Sequence, residues 1–485
     1  MGTEGQPQPL GLASLGLAFG PFAFVLVAFF LYVPIVRPLN NIFFHPLSKY
    51  PGPKLWAASR IPHACAVFSG RSHRKMVELH HRYGDIVRIA PNELSFARPD
   101  AWKSVMGYVK QGQPENGKDH IAYHEQMGSL ITMERTRHGQ IRRSLSHGFS
   151  AKRMFEQQPL IQKYIDLLFE KLHANSENGT KALDITAWYN YTTFDVIGDL
   201  TFGESFHCLE NLDLHPWIKI IFKSIKGMIL FNVSRHFFSS TDTVVRKLFP
   251  FVAAAGEQHE ALVFNKVSKR LKMKADRPDF MDSMRRQDIT TMTMDEICKT
   301  SSTMIIAGSE TTATVLSFAT YLLCKHPEIH AKAVAEVRAA FATEQEIDAV
   351  RVQHLEYLLA VLNETMLCGD SIPGDILLTI SQWTMSHYEK NFTQPEMFVP
   401  SRWLPTADPV FKNDKKDAFQ PFSHGSRDCI GKNLAYTEMR IILARMLWNF
   451  DIQLDERSKN WAEDMRVFGL WDKPPQYVHL RPRKA

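Results

Sequence analysis

Phe422-Ser423-His424-Gly425-Ser426-Arg427-Asp428-Cys429-Ile430-Gly431 is the stretch whose reading decides the fold. Its pattern is F-x-x-G-x-R-x-C-x-G. Gly425 and Gly431 let the backbone turn tightly and come close to a flat ligand. Cys429 then opens a stretch, Leu434 to about Phe450, whose apolar spacing predicts a helix. Backbone N–H groups at a helix start, together with the helix dipole, favour a thiolate over a thiol. A buried cysteine in a Gly-rich turn is the plain alternative. The other five cysteines (Cys65, Cys208, Cys298, Cys324 and Cys368) are scattered, with no C-x-x-C pair. A chain this long does not need disulfide staples, so they read as reduced, mostly buried thiols.

Working outward, the clearest helix runs from about 294 to 326. Thr293 and Glu296 form a capping-box pattern at its start, and Pro327 marks its stop. Its middle carries Ala307-Gly308-Ser309-Glu310-Thr311-Thr312. A glycine and several polar residues in a long apolar helix are costly unless something uses them. The other explanation is a polar stripe facing a neighbouring helix. Further upstream, His138 and Arg142 stand four residues apart, so they share a helix face. With Arg143 beside them they also suit an exposed basic face. Residues 71–83 predict a helix, and 84–89 with 93–96, split by Pro91-Asn92, predict a short β-hairpin. The strongly apolar stretch 214–255 suits either a membrane-facing entrance or ordinary core.

On these motifs the chain resembles the cytochrome P-450 family, and in particular its microsomal fungal members. The resemblance covers nearly the whole length, from FFHPLSKYPGP through FDVIGDLTFGESF (194–206) to the cysteine loop. It implies a mainly α fold with small β-sheets and a haem b cofactor (iron-protoporphyrin IX). Cys429 is the implied iron ligand. A thiolate on haem iron pushes electron density that favours O–O cleavage. Arg427, His138 and Arg142 match propionate contacts, Phe422 shields the thiolate, and Gly431 belongs to the same cofactor-binding loop. Ala307 and Gly308 match the oxygen groove, where Gly308 removes a side chain so that dioxygen fits. Thr311 can hydrogen-bond dioxygen or a water, and Glu310 can help bring in protons. Two protons are needed to release one oxygen atom as water. The implied activity is a monooxygenase of the EC 1.14 type. Its substrate is a lipophilic small molecule, with fungal secondary metabolism as the expected setting. Electrons would come from a separate NADPH–cytochrome P-450 reductase, since the chain has no Gly-rich dinucleotide fingerprint. A haem-thiolate isomerase or dehydratase is an alternative that the Gly308–Thr311 unit argues against.

The chain departs from the family at one place. The family's E-x-x-R motif would put an arginine three residues after Glu364, but Glu364-Thr365-Met366 is followed by Leu367. A proline-rich stretch and hairpin then fail to follow. The chain passes through Leu-Cys-Gly-Asp-Ser to Ile372-Pro373-Gly374, and the resemblance resumes at His387. Arg402 matches the third member of the family's Glu-Arg-Arg network. Glu364 is thus expected to lack one of two charge partners, and breaking a buried pair costs about 3–5 kcal/mol. The expectation is a segment lost after Met366, by a gene-model error or a real deletion. A haem-free or inactive relative is the function that such a loss would leave.

Residues 11–36 carry no charged side chain. As a helix they would reach about 39 Å, enough for a hydrocarbon core of about 30 Å. The expectation is a lumenal N-terminus at 1–10, a transmembrane anchor at 11–36, a proline-rich hinge at 37–60 and a haem-thiolate catalytic domain at 61–485. Basic residues after the anchor (Arg37, Lys49, Lys54 and Arg60) put that domain in the cytosol, on a single-pass endoplasmic reticulum protein. The sequons at Asn178, Asn190, Asn232 and Asn391 are then chance matches. Lys and Arg number 57 against 51 Asp and Glu. A surplus that small, spread along the chain, points away from nucleic acid. Aromatic content of 11% excludes a disordered chain.

Overall fold

The computed structural model describes residues 32–368 and 378–483, apart from short stretches at 111, 114–115, 120, 122–127, 238–242, 245–246, 248–249, 274–276 and 286–290. The described elements are α1 (Ser72–Tyr83), β1 (Ile86–Ala90), β2 (Glu93–Phe96), α2 (Arg135–Gly148), α3 (Ala151–Asn175), β3 (Ala182–Asp184), α4 (Ile185–Phe202), α5 (Pro216–Arg235) and α6 (Pro250–Lys272). They continue with α7 (Met294–Lys325), α8 (Pro327–Ala340), α9 (Glu356–Cys368), β4 (Leu378–Ile380), α10 (Lys432–Asn449), β5 (Phe450–Leu454), β6 (Arg466–Phe468), β7 (Leu470–Asp472) and β8 (Tyr477–Pro482). Shorter helical turns fill many of the connections.

The long helix α7 is the spine. Thr293 Oγ1 accepts from the Glu296 N–H at 3.2 Å, and the Glu296 carboxylate accepts from the Thr293 N–H at 2.8 Å. That reciprocal cap satisfies two otherwise orphaned donors. Beyond it α7 packs along α4, which is buried almost all round. They cross where Gly308 leaves room: a Cβ on Gly308 would stand 2.6 Å from Ile197 Cδ1. The main core also draws on α2, α3, α9 and α10.

The sheets are small. β1 and β2 form the expected hairpin, and β2 runs parallel to β4. β8 lies between β3 and β5, antiparallel to both, and β6 pairs with β7. The helix after the cysteine loop ends at Asn449, one residue from the expected end. Phe450 instead opens β5 and pairs with Pro482, because a partner strand distant in sequence is available there. In α5, Trp217, Ile218, Ile221 and Val233 are buried, which makes this part of the apolar 214–255 stretch core.

The N-terminal transmembrane helix expected over 11–36 lies outside the described residues up to 31. Its described end, Tyr32–Val36, is a single π-helical turn leading into a helix at Arg37–Phe43. Among the described residues no helix is long and apolar enough to cross a membrane. The 37–60 stretch is more ordered than a plain hinge, with a second short helix at Lys54–Ala58 after Pro51-Gly52-Pro53. Of the four sequon asparagines, Asn190, Asn232 and Asn391 are buried. Burial gives a reason against glycosylation that does not depend on topology.

Candidate active site

The cysteine loop is built by local turns. The Cys429 N–H donates to the Phe422 carbonyl at 2.8 Å, and the Ser423 N–H to Gln420 at 2.8 Å. Gly425 has φ +87°, and a side chain there would strike the carbonyl of Met106. Only glycine suits both the left-handed backbone and that close approach. Gly431 is the N-cap of α10. Its N–H donates to the Cys429 thiol, and a Cβ on it would stand 3.9 Å from Sγ. The cysteine is walled by protein on most sides, yet its residue is exposed. Burial pushes the thiol pKa above its ordinary value, and nearby Asp428 adds to this. The Gly431 N–H and the charges of Arg142 and Lys432 pull the other way. Helix-start donors are therefore present as expected, and burial outweighs them. The Phe422 ring packs 5.1 Å from the Tyr436 ring.

Arg142 is joined directly to this loop. Its guanidinium donates to the Asp428 carbonyl at 2.7 Å and forms an ion pair with the Asp428 carboxylate. N–H donors remain over on the same group. Arg427 donates to the Met133 carbonyl at 2.9 Å, tying the loop to the segment before α2. His138 lies buried one turn before Arg142 on α2. Phe422, Arg427, Cys429, Gly431 and Arg142 thus form one corner of loop and helix.

On α7, Ala307 is exposed and Thr311 partly so, in a helix otherwise sunk in the core. Thr311 Oγ1 donates to the Ala307 carbonyl at 2.7 Å. Gly308 has a packing reason of its own, since its missing side chain would point at Ile197. The geometry therefore accounts for this glycine by helix crossing, where the sequence suggested room for dioxygen. Glu310 is buried and pairs with Lys473, which the sequence gave no reason to single out. Burial pushes the Glu310 pKa up, while Lys473 pulls it back.

Glu364 is fully buried, and its carboxylate is well served without the family's arginine. Oε1 accepts from Arg402 Nε at 3.1 Å and the Val399 N–H at 2.9 Å; Oε2 accepts from Trp403 Nε1 at 2.7 Å. Arg402 in turn pairs with Asp414 at 3.0 Å and donates to Thr393 and Gln394 carbonyls. Burial still dominates and raises the Glu364 pKa to about 7. Trp403 is the partner that sequence reasoning missed. An indole N–H beside a buried carboxylate leaves no local signature.

The family model for cytochrome P-450 matches residues 50–366 and 367–480. The chain belongs to the cytochrome P-450 family. The two matched pieces of the cytochrome P-450 model meet between Met366 and Leu367, where the E-x-x-R pattern fails. Among curated relatives, the chain is 42% identical to a trichothecene C-15 hydroxylase of Fusarium sporotrichioides, over 93% of this chain and 96% of the relative. It is 38% identical to the cytochrome P-450 monooxygenase astA of Talaromyces wortmannii, over 98% and 97%. It is 39% identical to an averantin hydroxylase of Dothistroma septosporum, over 91% and 88%. The alignment with astA spans 500 positions, more than the 485 residues here, so the relative has positions with no counterpart in this chain.

Cytochrome P-450 enzymes carry haem b and act as monooxygenases of the EC 1.14 type. The residues present fit that group: an exposed cysteine residue at a helix start, with the Arg142 guanidinium on the same loop.

Proposed function

We propose that Cys429 ligates haem iron. In this reading the enzyme inserts one atom of dioxygen into a lipophilic small molecule of fungal secondary metabolism. Bound haem supplies dioxygen activation; two electrons and two protons convert the second oxygen atom to water. The chain's own residues do the rest. Gly431 donates to the sulfur, and the Phe422 ring covers the loop beside it. Arg142, Arg427 and His138 hold the propionates. Ala307 and Gly308 form the part of α7 along which dioxygen lies, Thr311 positions a hydroxyl, and Glu310 brings protons from the protein side. The observation that carries this reading is the exposed Cys429 residue, held by its loop at the start of α10. The relatives named as a trichothecene C-15 hydroxylase and an averantin hydroxylase support hydroxylation as the form of oxygen insertion.

In this reading residues 61–485 are the catalytic domain, and 37–60 join it to an uncharged 11–36 anchor in the endoplasmic reticulum membrane. A membrane-bound NADPH–cytochrome P-450 reductase supplies the electrons. The absence of charge over 11–36 supports the anchor.

A second reading has one specific observation behind it. The break in the family match at Met366–Leu367 supports loss of a segment, and with it loss of haem. The Glu364–Arg402–Trp403 network weighs against it, because the buried carboxylate keeps its partners. Carbon monoxide addition to the reduced, purified chain separates the two. A Soret band at the thiolate-ligated position supports the monooxygenase, and no haem absorbance supports the haem-free relative. Turnover with reductase then separates oxygenation from isomerisation. Sequencing the message across Met366–Gly369 tests the lost segment: a frame continuous in both message and genome excludes a gene-model error.

A further inference from the structure

The ion pair between Lys473 and Glu310 is the least expected feature of the core. Both side chains are 3% exposed. Burying two charges is costly even when they are paired, and an apolar pair of similar volume is often as stable. Packing alone therefore gives a weak reason for it.

The pair is held rigidly. Lys473 follows β7, and its neighbours are pinned on both sides. Trp471 packs 5.5 Å from the Phe318 ring of α7. The Pro474 carbonyl accepts from Trp461 Nε1 at 2.8 Å, and the Gln476 N–H donates to Asp184 at 2.9 Å. These anchors drive the lysine against α7. There its ammonium donates to Glu310 Oε1 and, at 2.8 Å, to Thr314 Oγ1. The Thr314 hydroxyl donates onward to the Glu310 backbone carbonyl at 2.7 Å. All the polar grip falls on one oxygen. Glu310 Oε2 is buried with no partner. Asp472, exposed and next along the chain, is the other charge that acts on Glu310.

We propose that Lys473 is a positioning residue for Glu310, steadying its carboxylate after a proton has left and leaving Oε2 free to take up and pass on the next. This rests on the reading above in which Glu310 supplies protons. A buried carboxyl with no cation nearby keeps its proton; one beside an ammonium can exist in both states. In each cycle the proton leaves the Glu310 carboxyl toward the oxygen site and is replaced from solvent. A purely structural role, clipping the chain after β7 onto α7, predicts no effect on that exchange.

The test uses the full chain and the variants K473M, K473R, E310Q and K473M/E310Q; K473Q replaces K473M if the latter does not fold. The infrared carbonyl band of a protonated buried carboxyl is followed against pH. K473M should move one such titration upward by about 1–3 pH units. The double variant should lose that band, and K473R should return it toward the parent. With reductase, NADPH and no added organic substrate, the partition of consumed dioxygen between water and hydrogen peroxide is then measured. K473M and E310Q should each slow water formation by about tenfold or more, with K473R restoring it. An unchanged Glu310 titration in K473M overturns the proposal, whether or not haem is bound. A shifted titration with normal water formation in E310Q instead overturns the reading of Glu310 as proton supplier.

Discussion

Glu438 allows a sharp test of how α10, the helix that follows the cysteine loop, is held. Its carboxyl is fully buried against α7, with Thr312 as the hydrogen-bonding neighbour and Oε2 unpartnered. Burial raises its pKa to about 8, and Thr312 offsets only part of that. The folded chain thus holds this proton more tightly than the unfolded chain, where a glutamate titrates at 4.5. Below that value both states are protonated and there is no penalty. As pH rises the unfolded chain ionises first, so stability falls by about 1.4 kcal/mol per pH unit. The loss is complete near pH 8 and amounts to about 5 kcal/mol. Buried His73 and His80, pushed down to about 3 and about 4, act with the opposite sign. They add stability as pH rises, and that gain ends near the ordinary histidine value of 6.5. Glu364 finishes titrating around 7. Burial also raises Glu310, Asp184 and Asp195, so the difference between the parent profile and that of a Glu438→Gln variant is what belongs to Glu438. Urea unfolding followed by tryptophan fluorescence, on the parent and on Glu438→Gln, measures it. Between pH 7 and 8 the parent should lose about 1 kcal/mol more than the variant. Parallel profiles for the two proteins would refute the reasoning.

Trp403→Phe removes the N–H that serves Glu364 Oε2 and leaves a buried acceptor unpaired. Denaturant unfolding at neutral pH should show a loss of about 1–3 kcal/mol. Gly308→Ala forces a methyl group against Ile197 and should cost about 1–3 kcal/mol, largely recovered in the Gly308→Ala/Ile197→Val double variant. If that pair shows no coupling in a double-mutant cycle, the helix-crossing explanation for Gly308 fails. Arg142→Leu cuts the tie to Asp428 and removes a proposed propionate partner. Haem content per chain, read from pyridine haemochromogen absorbance, should fall, while Arg143→Leu on the exposed side of α2 leaves it unchanged.

The parts that were legible in the sequence are those set by local chemistry. The Thr293–Glu296 cap, the Pro91-Asn92 hairpin and the Gly-rich loop around Cys429 all depend on residues within a few positions of each other. The elements that the sequence did not disclose join distant residues. Lys473 meets Glu310 across 163 positions, and Trp403 meets Glu364 across 39. No periodicity marks either pair. Phe450 belongs to a strand because β8, near the end of the chain, is there to receive it. The packing reason for Gly308 was hidden for the same reason, since the Ile197 side chain that needs its space lies on another helix. The missing arginine shows the converse. Its absence was plain in the sequence, whereas the donors that compensate Glu364 could be seen only in the fold.

The proposed function depends on Cys429 as the ligand of haem iron. The direct measurement is the reduced, carbon monoxide difference spectrum of the purified parent chain beside Cys429→Ala, with circular dichroism to verify that both are folded. The account predicts a thiolate-type Soret band in the parent and its loss in the variant. A parent without haem, or a variant whose band is unchanged, would contradict it.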